Sequence, residues 1–240
     1  MTDTTVRVLS HLELESQMHR SGMGTAADQQ REALSRAAPE IDVVTSPWTD
    51  GSVPDALFAS WAYGDDLLVD YDVAHLNMAG PVSLAVARRA KAQDIPLILH
   101  THVTKEDFRD SFRFSNVAAP ALGVYLKHFY SQADLVLCPS EYTKGVLESY
   151  PVDAPIKPIS NGIDLEPLQG YESFREDTRE EYGLDGMVVF AVGNVFERKG
   201  LTTFCELAHA TDYDFTWFGT YEEGPAASKT VRRWTTDPPE

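Results

Sequence analysis

Val192-Gly193-Asn194-Val195-Phe196-Glu197-Arg198-Lys199-Gly200 joins a β-branched run, residues 187–192, to a run with helical spacing, residues 201–210. Two glycines bracket adjacent basic residues where a strand gives way to a helix. At such a junction an α/β protein presents backbone N–H groups and the positive end of a helix to an anion. Arg198 and Lys199 add two mobile cations, so the expected ligand is phosphorylated, with a diphosphate as the best match. The alternative is a solvated basic turn.

On either side of this segment, the sequence alternates between short aliphatic runs and stretches with helical period. Strands are expected at residues 6–9, 41–45, 73–76, 96–100, 135–138 and 156–159, then at 187–192 and 215–218. Helices are expected at 26–37, 81–93, 118–133, 141–150, 173–182 and 201–210. Pro81 suits a first helical position and Ser140 an N-cap. Such alternation predicts a parallel sheet with helices on both faces. Residues 161–177 break the rhythm with glycine, proline and acidic residues, and read as a linker. The expected division is a complete N-terminal Rossmann-like domain, 1–165, and a second Rossmann-like domain, 166–240. Only two strands are visible in the second, against the five or six of a doubly wound domain. It is therefore expected to be partial, and the protein to be shortened at its C-terminus.

Composition narrows the function. The 240 residues carry a net charge of −17, with 43% hydrophobic residues, ten tyrosines, eleven phenylalanines and four tryptophans. That apolar content supplies a core. The acidic balance repels nucleic acid, and no basic stripe offsets it, so no nucleic-acid partner is expected. An acidic surface suits a salt-rich cytoplasm, where the Debye length shrinks to ~3 Å at 1 M. A halophilic source is the expectation, and an ordinary acidic enzyme the alternative. No apolar run reaches the ~20 residues that span a bilayer. Met1-Thr2-Asp3-Thr4-Thr5 lacks the basic-plus-apolar pattern of a secretory signal, so a cytoplasmic location is expected. Cys138 and Cys205 lie in separate apolar runs and read as buried thiols.

Three further segments bear on chemistry. Ser21-Gly22-Met23-Gly24-Thr25-Ala26-Ala27 follows the first strand and opens the first expected helix. As text it matches the dinucleotide fingerprint, but it lies far beyond the first strand, and no acidic residue ends the second. A nicotinamide enzyme is therefore not expected. Gly22 and Gly24 instead suit close approach of a ligand to a helix N-terminus, and a plain flexible loop is the alternative. His100-Thr101-His102 follows the fourth strand, at the sheet end where open α/β folds bind ligands. The two histidines are assigned to opposite faces, with His102 meeting the ligand and His100 structural. No further ligands with metal-site spacing accompany them. Around them, residues 105–130 mix Lys105, Arg109, Arg113 and Lys127 with Phe108, Phe112, Phe114, Tyr125, Phe129 and Tyr130. That mixture suits an interfacial membrane contact or a lipid-linked substrate, and ordinary packing is the alternative.

In this order the segments resemble the retaining glycosyltransferases of family 4, which have the GT-B fold. The resemblance rests on the glycines of Ser21–Gly24, on His102, and on Ala133-Asp134-Leu135-Val136-Leu137-Cys138-Pro139-Ser140. It rests also on Asn161-Gly162-Ile163-Asp164 and on Val192–Gly200. The run from His100 to Phe112 is most similar to the branch that glycosylates diacylglycerol-type lipids. The resemblance implies transfer of a sugar from a nucleotide-diphosphate sugar to a hydroxyl acceptor, with a membrane lipid as the expected acceptor and retention of configuration. It gives His102 the catalytic position beside the transferred sugar. It gives Gly22, Gly24, Arg198 and Lys199 the donor diphosphate, and Asn161 and Gly162 the interdomain hinge. It implies no cofactor and no obligatory metal, and a peripheral site at the inner face of the membrane. There are two departures. Asn194 stands where the family has arginine, with Arg198 expected to supply that charge, and the sequence is expected to end before the family's paired glutamates, E-x7-E, which lie further into the second domain. A shortened, non-catalytic binding or partner subunit is the rival reading.

Overall fold

The computed structural model describes residues 5–19, 21–46, 54–55, 57–58, 61, 64–111, 113–221 and 229–235. Phe112 and the terminal Pro238-Pro239-Glu240 lie outside them. Backbone contacts divide the protein into two units: Met1–Thr104 with Leu122–Ile163, and Lys105–Ala121 with Asp164–Glu240.

The first unit holds strands β1 (Val6–His11), β2 (Ile41–Thr45), β3 (Val73–Leu76), β4 (Leu97–His100), β5 (Leu135–Cys138) and β6 (Ile156–Pro158). They form one parallel sheet in the order β2-β1-β3-β4-β5-β6. This is the Rossmann-like arrangement expected from the alternating pattern. The strand order reverses at β1, which is flanked by β2 and β3. A crevice therefore opens beyond the carboxyl ends of β1 and β3, where such sheets take ligands.

Short helix α1 (Glu15–Met18) leads into α2 (Gly22–Ala37). Then come α3 (Pro81–Ala92), α4 (Lys105–Phe108), α5 (Ser115–Tyr130) and α6 (Glu141–Leu147). Leu9, Ala74, Leu76, Leu97, Leu99 and Val136 fill the sheet side of the core. Val82, Val86, Ala87 and Ala90 of α3, and Leu126 and Phe129 of α5, pack onto them. The α3 residues fall at helical spacing on one face, and its two alanines permit close approach to the sheet. Pro81 is the first residue of α3. The Ser140 hydroxyl caps α6 by accepting the Thr143 N–H at 3.2 Å, as its sequence position predicts.

Several boundaries differ from expectation: α5 runs Ser115–Tyr130 rather than 118–133, and α6 ends at Leu147 rather than 150. Helix α2 starts at Gly22 rather than Ala26, because the Ser21 hydroxyl accepts the Gly24 N–H at 3.2 Å and caps the earlier turn. Residues 105–108 form the helical turn α4 although nothing in their composition marks one. Helix α5 begins in the second unit and ends in the first, with Pro120 inside it.

The second unit adds α7 (Arg175–Tyr182), β7 (Val188–Val192), α8 (Leu201–Ala210), β8 (Asp214–Phe218) and α9 (Lys229–Thr235). Strands β7 and β8 pair in parallel from Val188↔Asp214 to Val192↔Phe218. Val195, Leu201 and Val231 form a small core against Cys205, Trp217 and Trp234. Phe204 meets Phe215 and Trp217 edge-on. The expected linker is partly ordered into single turns at Glu166–Leu168 and Tyr171–Phe174. Cys138 lies in the first unit's core and Cys205 is half-buried, and neither is bridged. Burial pushes both thiols up. Among the described residues no helix is long and apolar enough to cross a membrane.

Candidate functional site

In the first unit, the candidate site starts with the segment after β1. Leu14, at φ 59°, turns the backbone sharply into α1. Glu13 is thereby buried beneath α3, where its Oε2 accepts the Ser83 N–H at 3.0 Å and the Ser83 hydroxyl at 3.2 Å. This carboxylate caps α3 from a distance, since Gly80 at its N-cap has no side chain with which to do so. A Cβ at Gly80 would sit 2.1 Å from Glu13 Oε2. The two predicted glycines of α2 have different reasons to be glycine. A Cβ at Gly24 would lie 2.2 Å from the Met18 carbonyl oxygen, whereas one at Gly22 would meet nothing within 4 Å. Gly24 lets α2 pack on the preceding turn, and Gly22 keeps the front of the helix open.

Four histidines line the carboxyl ends of the central strands. His11 Nδ1 and the Ser46 hydroxyl are 2.7 Å apart. Gln30 Nε2 donates to His100 Nδ1 at 2.9 Å. An amide nitrogen only donates, so His100 carries its proton on Nε2. The rings of His75 and His100 lie 5.9 Å apart, and those of His100 and His102 stack at 4.3 Å with 8° between planes. The expectation that His100 and His102 face apart is overturned. A strand's side chains alternate with a period of two, so i and i+2 share a face.

Burial pushes His11 and His100 down to about 3, and His75 and His102 down to about 4. After burial, a positive charge on a protonated His102 would lower His75 and His100, and the Arg31 charge lowers His11 and His75. All four imidazoles are neutral at pH 7. Nε2 of His75, His100 and His102, and both amide atoms of Asn77, are buried with no hydrogen-bond partner among the described residues. Buried polar atoms are normally paired, so this concentration marks a place built to meet polar groups that the protein does not itself supply. Arg31 reaches it from α2, with Nε donating to the Ser10 hydroxyl at 3.0 Å and Nη1 to Asp28 at 3.1 Å, and Nη1 also meeting Glu15. Sequence reading found His102 but missed His75, Asn77, Gln30 and Arg31. The detectable signal was His75-Leu76-Asn77, polar residues ending the strand next to His100.

In the second unit, the junction predicted to bind a diphosphate is held firmly. Gly193, at φ 120°, turns away from β7, and its carbonyl accepts the Trp217 indole N–H at 2.7 Å. Gly193 and Val195 N–H groups donate to Phe218 and Thr220 carbonyls, both at 2.9 Å. Val195 and Phe196 are buried, and Glu197–Lys199 form one tight turn that presents Arg198 and Lys199 before α8. Gly200 closes that turn at φ 83°. Thr202 donates to Glu197 Oε2 at 2.8 Å, which fixes the turn to the helix start. Asn194 Oδ1 accepts the Thr220 hydroxyl at 3.1 Å. Arg198 donates through Nε to the Ser111 hydroxyl at 2.8 Å and through Nη1 to Asp107 Oδ1 at 3.2 Å. Lys199 forms no ion pair among the described residues.

Asn161 and Gly162 precede the division between units at 163/164, and Gly162 is exposed at φ 73°. The basic–aromatic stretch 105–130 splits in two. Phe129 and Tyr130 are core residues, and the Tyr125 hydroxyl donates to the Gly80 carbonyl at 2.8 Å. Phe114 and Val117 are exposed, and the Arg113 guanidinium lies 4.8 Å over the Phe114 ring. Among the described residues no group of three His, Cys, Asp or Glu side chains is placed to hold a metal ion.

Residues 20–167 match the model of Glycosyltransferase Family 4. The sequence is 32% identical over 218 residues to "Processive diacylglycerol alpha-glucosyltransferase" of Acholeplasma laidlawii, covering 89% of this protein and 58% of that enzyme's length. The crystal structure of Methanocaldococcus jannaschii UDP-GlcNAc 2-epimerase in complex with UDP-GlcNAc and UDP is similar with a TM-score of 0.46 at 12% identity, over 95% of this protein and 68% of that one.

Proposed function

Starting from a protein that belongs to glycosyltransferase family 4, we propose that it moves a sugar from a nucleotide-diphosphate sugar to the hydroxyl of a membrane lipid, with retention of configuration. The observation that carries this reading is the set of neutral His75, His100 and His102 with unpartnered Nε2 atoms beside Asn77. Neutral imidazoles and an amide both donate and accept, which suits the hydroxyls of a sugar better than a phosphate. His102 is assigned to the transferred sugar, and Lys199 to the donor diphosphate. Arg198 is the second cation the sequence offers, with part of its guanidinium already engaged. The lipid acceptor and a contact with the membrane surface are supported by the likeness to the diacylglycerol enzyme and by exposed Phe114 and Val117.

In the transfer, the acceptor hydroxyl oxygen bonds to the anomeric carbon. The bond from that carbon to the diphosphate oxygen breaks, and the hydroxyl proton leaves with the nucleoside diphosphate. Negative charge grows on the departing diphosphate, where a fixed ammonium lowers the barrier. No cofactor is needed for this step, and Asn161 and Gly162 are assigned the hinge.

The test is incubation of the protein with a panel of labelled nucleotide hexoses and diacylglycerol in mixed micelles. An α-linked glycolipid formed from an α-linked donor is expected, slowed about 100-fold or more in His102→Ala. A β-linked product would refute retention. Donor binding without transfer would favour a non-catalytic partner subunit.

A further inference from the structure

Arg198 and Lys199 are adjacent, but their surroundings differ. The Arg198 guanidinium is held on two sides, by the Ser111 hydroxyl at 2.8 Å and by Asp107 Oδ1 at 3.2 Å, and its centre lies 5.6 Å from the Phe196 ring. Ser111 is buried, and its own hydroxyl lies 3.4 Å from the Asp107 carbonyl. Asp107 and Ser111 stand four residues apart, on α4 and the turn that follows it. Asp110 and Phe114 both adopt left-handed backbone, at φ 56° and 69°. Asn116 fastens the turn, accepting the Asp110 N–H at 3.1 Å and donating to Asp110 Oδ1 at 2.7 Å. Left-handed geometry at two non-glycine residues persists only where neighbours hold it.

We infer that Arg198 is a positioning residue, which clips Asp107 and Ser111 onto the Val192–Gly200 loop and leaves the diphosphate to Lys199. The planar guanidinium offers several donors in a fixed fork, so it satisfies a hydroxyl and a carboxylate at once, which a lysine ammonium cannot do in that geometry. The clipped turn leads directly to exposed Phe114 and Val117. It thereby sets how these apolar side chains are offered to a lipid surface. The inference rests on the lipid acceptor proposed above, and its parts can fail separately from it.

The test uses the whole protein and two probes: inorganic diphosphate by calorimetry, and sedimentation with vesicles of phosphatidylglycerol and diacylglycerol. Hydrogen exchange of peptides within 105–121 reports the clip. In Asp107→Ala/Ser111→Ala, exchange of those amides is expected to accelerate about tenfold, since charge-assisted bonds are lost. Vesicle binding is expected to weaken several-fold, diphosphate binding to stay unchanged, and Asp107→Glu to retain most of both clip readouts. Arg198→Gln should reproduce the loosened turn, which covers the case of a poorly folded double variant. Unchanged exchange in both variants would overturn the inference. So would tighter diphosphate binding in the double variant, because Asp107 would then be competing with phosphate for Arg198. Faster exchange with undiminished vesicle binding would overturn the link to the lipid surface. By contrast, Lys199→Ala with undiminished diphosphate binding would count against the proposed donor site and leave the clip standing.

Discussion

Lowering the pH from 7.5 to 5 should unfold this protein through its histidines. His11, His75, His100 and His102 have ordinary pKa values of 6.5 and folded values of about 3 to 4. A folded pKa below the unfolded one means that the unfolded state binds protons the fold refuses. The stability these groups contribute is present above about pH 6.5 and is lost as pH falls toward 4. Between pH 7.5 and 5 each group costs about 2 kcal/mol, at 1.36 kcal/mol per pKa unit. The four together cost about 8 kcal/mol, against the ~5–15 kcal/mol that folds a typical domain. The net charge of −17 works the other way at low salt, because protonation relieves self-repulsion. The assay is therefore urea unfolding followed by tryptophan fluorescence, in 1 M KCl, at intervals from pH 7.5 to 5. Stability should fall by about 5 kcal/mol per pH unit below pH 6 in the parent, and about a quarter less steeply in His75→Asn. A stability flat to within ~1 kcal/mol over that range would refute the claim that these imidazoles are held neutral by burial.

Three further outcomes follow from single contacts. Gly24→Ala should lower stability by ~1–3 kcal/mol, because its Cβ would press on the Met18 carbonyl, while Gly22→Ala should be neutral or slightly stabilising; thermal melts separate the two. Ser140→Ala should cost about 1 kcal/mol by leaving the Thr143 N–H without its cap, read by the same melts. Phe190→Lys, on β7 where Phe190 and Val192 are exposed, should reduce any self-association seen by light scattering. If scattering is unchanged, that face is not where copies meet.

The strands were legible because β-branched and aliphatic runs of four to six residues have few other uses in a protein of this composition. Parallel pairing followed from the intervening helices, and the Ser140 cap and Pro81 at the first helical position followed from local chemistry that acts within four residues. The start of α2 at Gly22 depends on the Ser21 cap, which the expected span 26–37 leaves out. The site was harder to read because it is assembled from strand ends that are remote in sequence. His102 could be found from its place after β4. His75, Asn77, Gln30 and Arg31 join it only through the sheet order, which no local pattern states. The pairing of Arg198 with Asp107 and Ser111 was equally hidden, since those partners lie 91 and 87 residues away. Glu13 was invisible for the same reason, its partner Ser83 being 70 residues distant.

Glu13 and Gly80 also constrain how this sequence can change over evolutionary time. A Cβ at 80 would stand 2.1 Å from Glu13 Oε2, so the carboxylate would have to swing off the Ser83 N–H to make room. A serine at position 80 would supply its own cap to α3 in the glutamate's place. Each substitution alone is expected to lower stability and the pair to cost less than the sum, which a double-mutant cycle would read as coupling. The path between these two solutions passes through the less stable single variants, and lineages on either side should keep the solution they inherited.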